Sequence, residues 1–165
     1  MVKTLARRAL TTTTDSGRPE GRYRTVWSNA QECAHRWAVN RTPSGKAGNV
    51  YFERGTIFSY GGHFPMARHV ERKGTRFILF TTRTYSSSTS GHLSDVRRAI
   101  PDTAEVHNVH DVTADTYTEH LANFRAMEKT AAALADRASR ARGNKALLLG
   151  ESAETISGAN LYAAR

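Results

Sequence analysis

Between residues 27 and 100 the apolar positions change period twice. From Ser28 to Ala38 they recur at helical spacing, with Ala30, Cys33, Ala34, Trp37 and Ala38 on one face. Ser28 followed by Gln31 has the form of a capping box at the start of this helix, and Trp37 is expected to anchor the core. The next segment, NRTPSGKAGN, is rich in turn formers and reads as a loop. Alternation then predicts strands over Val50 to Glu53 and Thr56 to Tyr60, with Arg54-Gly55 as a tight hairpin turn between them. A third strand is expected from His63 to Glu71, after Gly61-Gly62. In it Phe64, Met66 and Val70 share one parity, and Pro65 argues against a central place early in the strand. Arg76 opens a fourth run, RFILFTTRTY, whose unbroken FILF predicts a strand covered on both faces. Together these runs make an antiparallel meander.

The period returns to helical after the hydroxyl-rich YSSSTSG. Leu93, Val96 and Ile100 lie on one inner face, and Pro101 stops the helix. VHNVHDV reads as a short edge strand. A long, Ala-rich helical pattern runs from Ala114 to Arg142 through Tyr117, Leu121, Phe124, Ala131, Leu134 and Ala138, with Gly143 expected as its C-cap. A last helical piece covers Lys145 to Ala164, interrupted by Gly150 and Gly158. The expected architecture is α+β: a small antiparallel sheet of three to five strands, with helices packed on one side. It divides into a flexible basic arm (1–27), an α+β domain (28–113) and a C-terminal helical extension (114–165).

Composition changes this picture at the chain's N-terminal side. Hydrophobic residues make up 39%, below the usual ~45–50%, so part of the chain is expected outside the core. Over residues 1–10, Leu5 and Leu10 suggest a short amphipathic helix, and TTTTDSGRPEGR after it reads as linker. The 165-residue chain carries a net charge of +9, and the excess is uneven. Residues 1–27 hold six basic and two acidic groups, residues 28–113 eleven and seven, and residues 114–165 seven and six. The positive field therefore belongs to the arm and the central domain. It favours nucleic acid, an anionic surface or an acidic protein partner. Arg outnumbers Lys, which suits bidentate phosphate contacts, although a GC-rich genome produces the same bias. The single cysteine, Cys33, excludes an intramolecular disulfide and points to a reducing compartment. No apolar run approaches the ~20 residues that span a bilayer, so no membrane partner is expected. The N-terminal MVKTLARRALTTTT lacks the apolar segment of a secretory signal.

Two constellations carry candidate chemistry. Tyr60-Gly61-Gly62-His63 puts a stacking ring and an imidazole around a glycine turn that lets backbone approach a ligand; the alternative is a hairpin whose rings pack on the sheet. The run Tyr85 to Gly91 feeds hydroxyls into a helix N-terminus, an anion site in principle, with Arg83 before it and His92, Arg97 and Arg98 after it. It lacks the Gly-Lys-Ser/Thr element of a nucleotide P-loop. His63 and His69 lie ~20 Å apart in a regular strand and cannot share a metal. His110-Asp111 has the form of a metal-dependent phosphohydrolase dyad, but no further ligands can be assigned, so neither a metal nor another cofactor is expected. No nucleophile elbow or triad is found, and Cys33 reads as an inert core thiol.

In WSNAQECAHRWA, NVYFERGTIFSYGGHFPMARHV and TTRTYSSSTSGHLSDVRRAI the chain resembles an uncharacterised domain common in bacteriophages and other mobile elements. The resemblance rests on His35 and Trp37, on Tyr51, Phe52 and Glu53, and on a Ser-Tyr-Gly-x-His-Phe-Pro-x-Ala motif at Ser59 to Ala67, and covers roughly residues 27–100. It implies a phage or mobile-element source and a role in the host cytoplasm, and carries no activity over. The leading expectation is a small accessory protein that binds nucleic acid, DNA or RNA. Arg68, Arg72, Lys73, Arg76, Arg83, Arg97 and Arg98 would hold phosphates, His92 would add charge beside them, and Tyr60, His63 and Tyr85 would stack on exposed bases. One alternative is a module that binds a host or defence protein, or its own copy, through the helical extension. Another is a phosphodiester hydrolase using His63 with Tyr60 or His92, which requires those side chains to meet in one pocket with a basic residue.

Overall fold

A computed structural model of the chain describes residues 26–39 and 42–165. The helix and linker expected over residues 1–22 lie outside the described residues. The first helix, α1 (Ala30–Ala38), is capped by Asn29 rather than Ser28: the Asn29 side chain accepts a hydrogen bond from the Glu32 N–H at 2.8 Å. Asn and Ser cap about equally well. Starting one residue later places Glu32 in the first turn, where its charge suits the helix dipole.

The segment read as a loop after α1 contains a strand. β1 (Ser44–Ala47) pairs antiparallel with β2 (Val50–Glu53), from Ser44 opposite Glu53 to Ala47 opposite Val50. Gly45 explains the misreading. A Cβ there would lie 1.8 Å from a ring carbon of Trp27, and the Trp27 ring stacks on Phe52 with centroids 5.6 Å apart. The glycine is a floor for an indole, and not a turn residue.

β3 (Thr56–Ser59), β4 (Phe64–Arg72) and β5 (Thr75–Thr81) complete the expected meander. Arg54 and Gly55 both take positive φ, 49° and 79°, the requirement of a two-residue type I′ hairpin turn. α2 (Ser87–Ala99) then carries the chain across one face, and β6 (Val106–Val109) returns parallel to β5 as the expected edge strand. Among the described residues the sheet has six strands in the order β1 to β6, antiparallel except at the last pair, one more than the three to five expected because β1 lies in the segment read as a loop.

The expectation of a single parity along β4 fails because of a bulge. Ile57 pairs with Ala67, but the next pair is Phe58 with Pro65. Met66 is the extra residue, so Met66 and Ala67 both enter the first core cluster with Phe64. Val70, beyond the bulge, packs on the opposite face. Pro65 is tolerated in an inner strand because the β4–β5 ladder starts only at Ala67.

The FILF reading holds. Ile78 joins Cys33, Trp37, Leu93 and Val96 in one cluster. Phe77 and Leu79 join Met127, Ala159 and Tyr162 in the other. Helices therefore cover both faces, where one had been expected. α1 and α2 cover the first face, and α3 (Tyr117–Arg140) and α4 (Lys145–Ala163) the second. α3 begins with a full capping box between Thr116 and Glu119. It ends at Ala141 in extended backbone, so Gly143 is not its C-cap. α4 runs unbroken through Gly150 and Gly158. Beyond it, Arg165 grips Glu105 with two hydrogen bonds, 2.8 and 2.6 Å, fastening the chain end to the sheet.

Candidate functional site

Four of the sequence-derived candidates converge. The β3–β4 turn, the loop after β5 and the start of α2 enclose a cleft of about 510 Å³ lined by Tyr60, His63, Phe64, Arg83, Tyr85, Ser86 and Ser88, among others. Tyr60 takes a φ of 50° and Gly61 one of 86°. Left-handed backbone at a bulky residue is uncommon, and here it turns the Tyr60 ring outward, 51% exposed. Tyr85 is 83% exposed, and its ring centroid sits 6.3 Å from that of Phe64. The Arg83 guanidinium lies 5.9 Å from the Phe64 centroid, a cation–π arrangement that positions the charge beside the cleft. Among the described residues no carboxylate pairs with Arg83.

The cleft borders the N-terminus of α2. Ser86 caps this helix by accepting from the Thr89 N–H at 3.2 Å, and its Oγ also meets the Thr89 Oγ1 at 3.0 Å. The hydroxyls of YSSSTSG thus partly serve the cap. The helix starts within the run, at Ser87. A first turn leaves N–H groups without intrahelical partners, and the dipole adds positive potential there.

His92 stands behind Tyr60 rather than in the cleft lining. Its Nδ1 lies 2.8 Å from the Ser59 Oγ, and its ring centroid is 5.5 Å from that of Tyr60. Ser59 lies in the cleft wall but exposes no surface, and its hydroxyl is engaged in orienting the imidazole. Sequence reasoning passed over Ser59 and Phe64 as site residues, although both lie in the Ser59 to Ala67 motif. That motif builds one wall of the cleft: Ser59 fixes His92, Tyr60 and His63 face the opening, Phe64 supports Arg83 and Tyr85, and Pro65 precedes the bulge.

The other basic candidates are dispersed. Arg68 points to the opposite face of the sheet and is engaged by Asp115 and the Thr113 carbonyl. Arg76 pairs with Glu71 and Arg98 with Asp95. Arg97 lies over Phe80, 5.3 Å from its centroid. Arg72 and Lys73 belong to a different cleft, beside α3 and α4. Among the described residues no group of three or more His, Cys, Asp or Glu is placed to hold a metal ion, and no helix is long and apolar enough to cross a membrane. Burial pushes the Cys33 thiol up to about 12, consistent with an inert core group.

Burial lowers the pKa of His92, and does the same for His69 and His107 against the opposing pull of the Trp37 carbonyl and the Glu105 carboxylate respectively. All three bind protons less readily folded than unfolded. Their contribution to stability is present above the unfolded value of 6.5 and is lost as pH falls through the lower folded values. The melting temperature is expected to be flat above pH 7 and to fall by several degrees on going to about pH 5. A second loss begins below 4.5, where the unfolded chain protonates Glu119 while the folded carboxylate, held down to about 2 by the backbone N–H groups of Asp115 and Thr116, stays ionised. A melting series from about pH 8 to about pH 3 checks both losses. A melting temperature that rises below pH 6.5 would contradict them.

No protein-family model, curated protein or solved structure matches the chain.

Proposed function

We propose that this protein is a small phage or mobile-element accessory protein that binds single-stranded nucleic acid in the cleft at the start of α2, acting in the host cytoplasm. The observation that carries the reading is the convergence on one opening of Arg83, which has no carboxylate partner among the described residues, two exposed tyrosines and a helix N-terminus. A phosphate sits at the α2 N-terminus against Arg83, where N–H donors, dipole and guanidinium act on the same charge. A neighbouring base stacks on Tyr85 or Tyr60, whose faces are open to solvent. The +9 net charge draws the strand in from a distance.

Fluorescence anisotropy with short single-stranded DNA and RNA, titrated over salt, tests the proposal. Affinity is expected to fall steeply as salt rises. Arg83→Ala should weaken binding roughly tenfold and reduce the salt slope by about 0.7, the value for one phosphate contact on a single strand. Tyr85→Ala removes a stacking surface worth ~1–3 kcal/mol per base, without touching the fold. Binding that is absent at low salt, or indifferent to salt, would sink the idea.

A second reading is favoured by one observation. His63, Tyr60 and Arg83 line the same cleft, the convergence a phosphodiester hydrolase requires. Gel analysis of the same oligonucleotides distinguishes the two: shortened products that disappear in His63→Ala support hydrolysis, and intact strands support binding alone.

A further inference from the structure

We propose that the cleft between the β4–β5 hairpin and the α3–α4 pair is a separate binding site for a monophosphate ester of an aromatic body, of mononucleotide size. It has a volume of about 730 Å³, within the ~300–1,000 Å³ typical of small-molecule sites. It lies on the second face of the sheet. The alternation of Phe77 and Ile78 separates it from the face that α1 and α2 cover.

Its lining combines rings with charged side chains. Phe77, Phe124, Tyr117 and Tyr162 line it together with Val70 and Leu121. Tyr117 is 81% exposed, leaving an open ring face for a flat ligand. The rings offer stacking surface to an aromatic body.

Charge selects the other end of the ligand. The two carboxylates that line the cleft are engaged, Asp115 by Arg68 and Glu71 by Arg76; beside it Glu105 is held by Arg165, and Asp111, near enough to act on Tyr162, accepts from the Thr113 N–H and hydroxyl. Arg72 and Lys73 also line the cleft, and among the described residues neither has an ion-pair partner. Two uncompensated cations match the charge of about −1.5 to −2 on a monoester phosphate. Arg72 is close enough to Tyr162 for its charge to favour the phenolate, against the stronger effect of burial. It shares the cleft lining with the polar groups of the floor, Tyr162 and His120.

That floor is a fixed hydrogen-bond array. The Asn123 Nδ2 donates to the Tyr162 hydroxyl oxygen at 3.3 Å, and the Tyr162 hydroxyl meets His120 Nδ1. With its oxygen accepting from Asn123, Tyr162 directs its proton to His120 Nδ1. The other imidazole nitrogen, Nε2, then carries the hydrogen and is a donor for a ligand oxygen.

Two-dimensional NMR of the full-length protein titrated with AMP tests the site, with adenosine and inorganic phosphate as separate arms. AMP is expected to bind saturably with a dissociation constant below about 1 mM, to shift the His120 and Phe77 resonances, and to bind at least ~10-fold more tightly than either half alone. Arg72→Ala, at an exposed hairpin position, should weaken the AMP response at His120 and Phe77 roughly tenfold, and Arg83→Ala should leave the response at those two residues unchanged. The proposal is overturned if the His120 and Phe77 shifts fail to saturate, if AMP shifts Tyr60 and Tyr85 alone, or if Arg72→Ala has no effect at His120 and Phe77. Because Arg83 and Arg72 lie in different clefts, AMP shifts at His120 and Phe77 report this site alone, and shifts at Tyr60 and Tyr85 report the other.

Discussion

Replacing Trp37 by alanine is expected to be the most destabilising single change in the chain, at about 3–5 kcal/mol. The indole is 1% exposed and sits in the cluster that joins α1 and α2 to the sheet. Its ring packs against His69 with centroids 4.6 Å apart. Its Nε1–H donates to the Gly55 carbonyl at 2.8 Å, and the same carbonyl accepts the His69 N–H at 3.0 Å. One side chain therefore ties the helix to the β2–β3 turn and to the middle of β4. Alanine leaves a cavity that the surrounding elements cannot close without moving the helix. A domain of this size typically has ~5–15 kcal/mol of stability, so the loss is a large fraction of the total. At ~2–4 °C per kcal/mol the melting temperature should drop by about 10 °C or more. Trp37→Phe keeps most of the buried area and loses the Nε1 bond, and is expected to cost about 1–2 kcal/mol. Calorimetric melting of both variants decides the matter. A drop of less than about 3 °C in Trp37→Ala would mean that α1 does not depend on this anchor.

The role of Trp37 was legible in the sequence because helical period and residue size agree there. The same agreement made Val50 to Glu53, the Arg54-Gly55 turn and the two-faced FILF strand readable. Where reading failed, two physical demands fell on one residue type. Gly45 carries the composition of a turn but serves as a floor for Trp27, a contact made across the fold and invisible to local pattern. Phe64, Met66 and Val70 alternate cleanly in sequence, yet the bulge at Met66 sends Val70 to the other face. Bulges follow from strand pairing, and pairing is a non-local property. The thin apolar stripe expected for α3 left no hint that it would cover a sheet face. The residue that secures it there, Asn123, is polar.

The site was legible as a neighbourhood and less so as a set. Tyr60, His63, Arg83 and Tyr85 come from two segments some twenty positions apart, and the β3–β4 turn and the α2 start bring them together. Their residue types alone marked them. The seven basic candidates were chosen for charge, and charge says nothing about which face of β4 a side chain takes. Arg68 and Arg72 follow the bulge to the second face, and Arg76 and Arg98 find carboxylates within a few residues in sequence. The positive field read from composition is real, but it is divided between two clefts.

The second large effect is expected at Asn123, which carries the docking of α3. Its side chain is 1% exposed and closes a two-bond ring with the backbone of Asp111: the Asp111 N–H donates to Oδ1 at 2.8 Å, and Nδ2 donates to the Asp111 carbonyl at 2.7 Å. The remaining Nδ2 hydrogen reaches the Tyr162 hydroxyl on α4. The amide thus fastens α3 to the loop after β6 and to the last helix at once. Asn123→Ala leaves the Asp111 backbone groups and the Tyr162 oxygen without these partners in a half-buried setting. Each unsatisfied group costs ~1–3 kcal/mol, and some regain water, so the expected total is about 2–4 kcal/mol. Asn123→Asp is not a rescue, since it keeps an acceptor for the Asp111 N–H but opposes the carbonyl with a second oxygen. Tyr162→Phe removes only the hydroxyl and should cost about 1 kcal/mol. Because both side chains share one hydrogen bond, the double variant should lose less than the sum of the two, by 0.5 kcal/mol or more. Urea titration supplies the numbers, with the denaturation midpoint falling and the slope unchanged if only native contacts are lost. An Asn123→Ala midpoint equal to that of the parent would show that water replaces the amide at no cost, and that apolar packing of Met127, Ala159 and Tyr162 is what holds the second face.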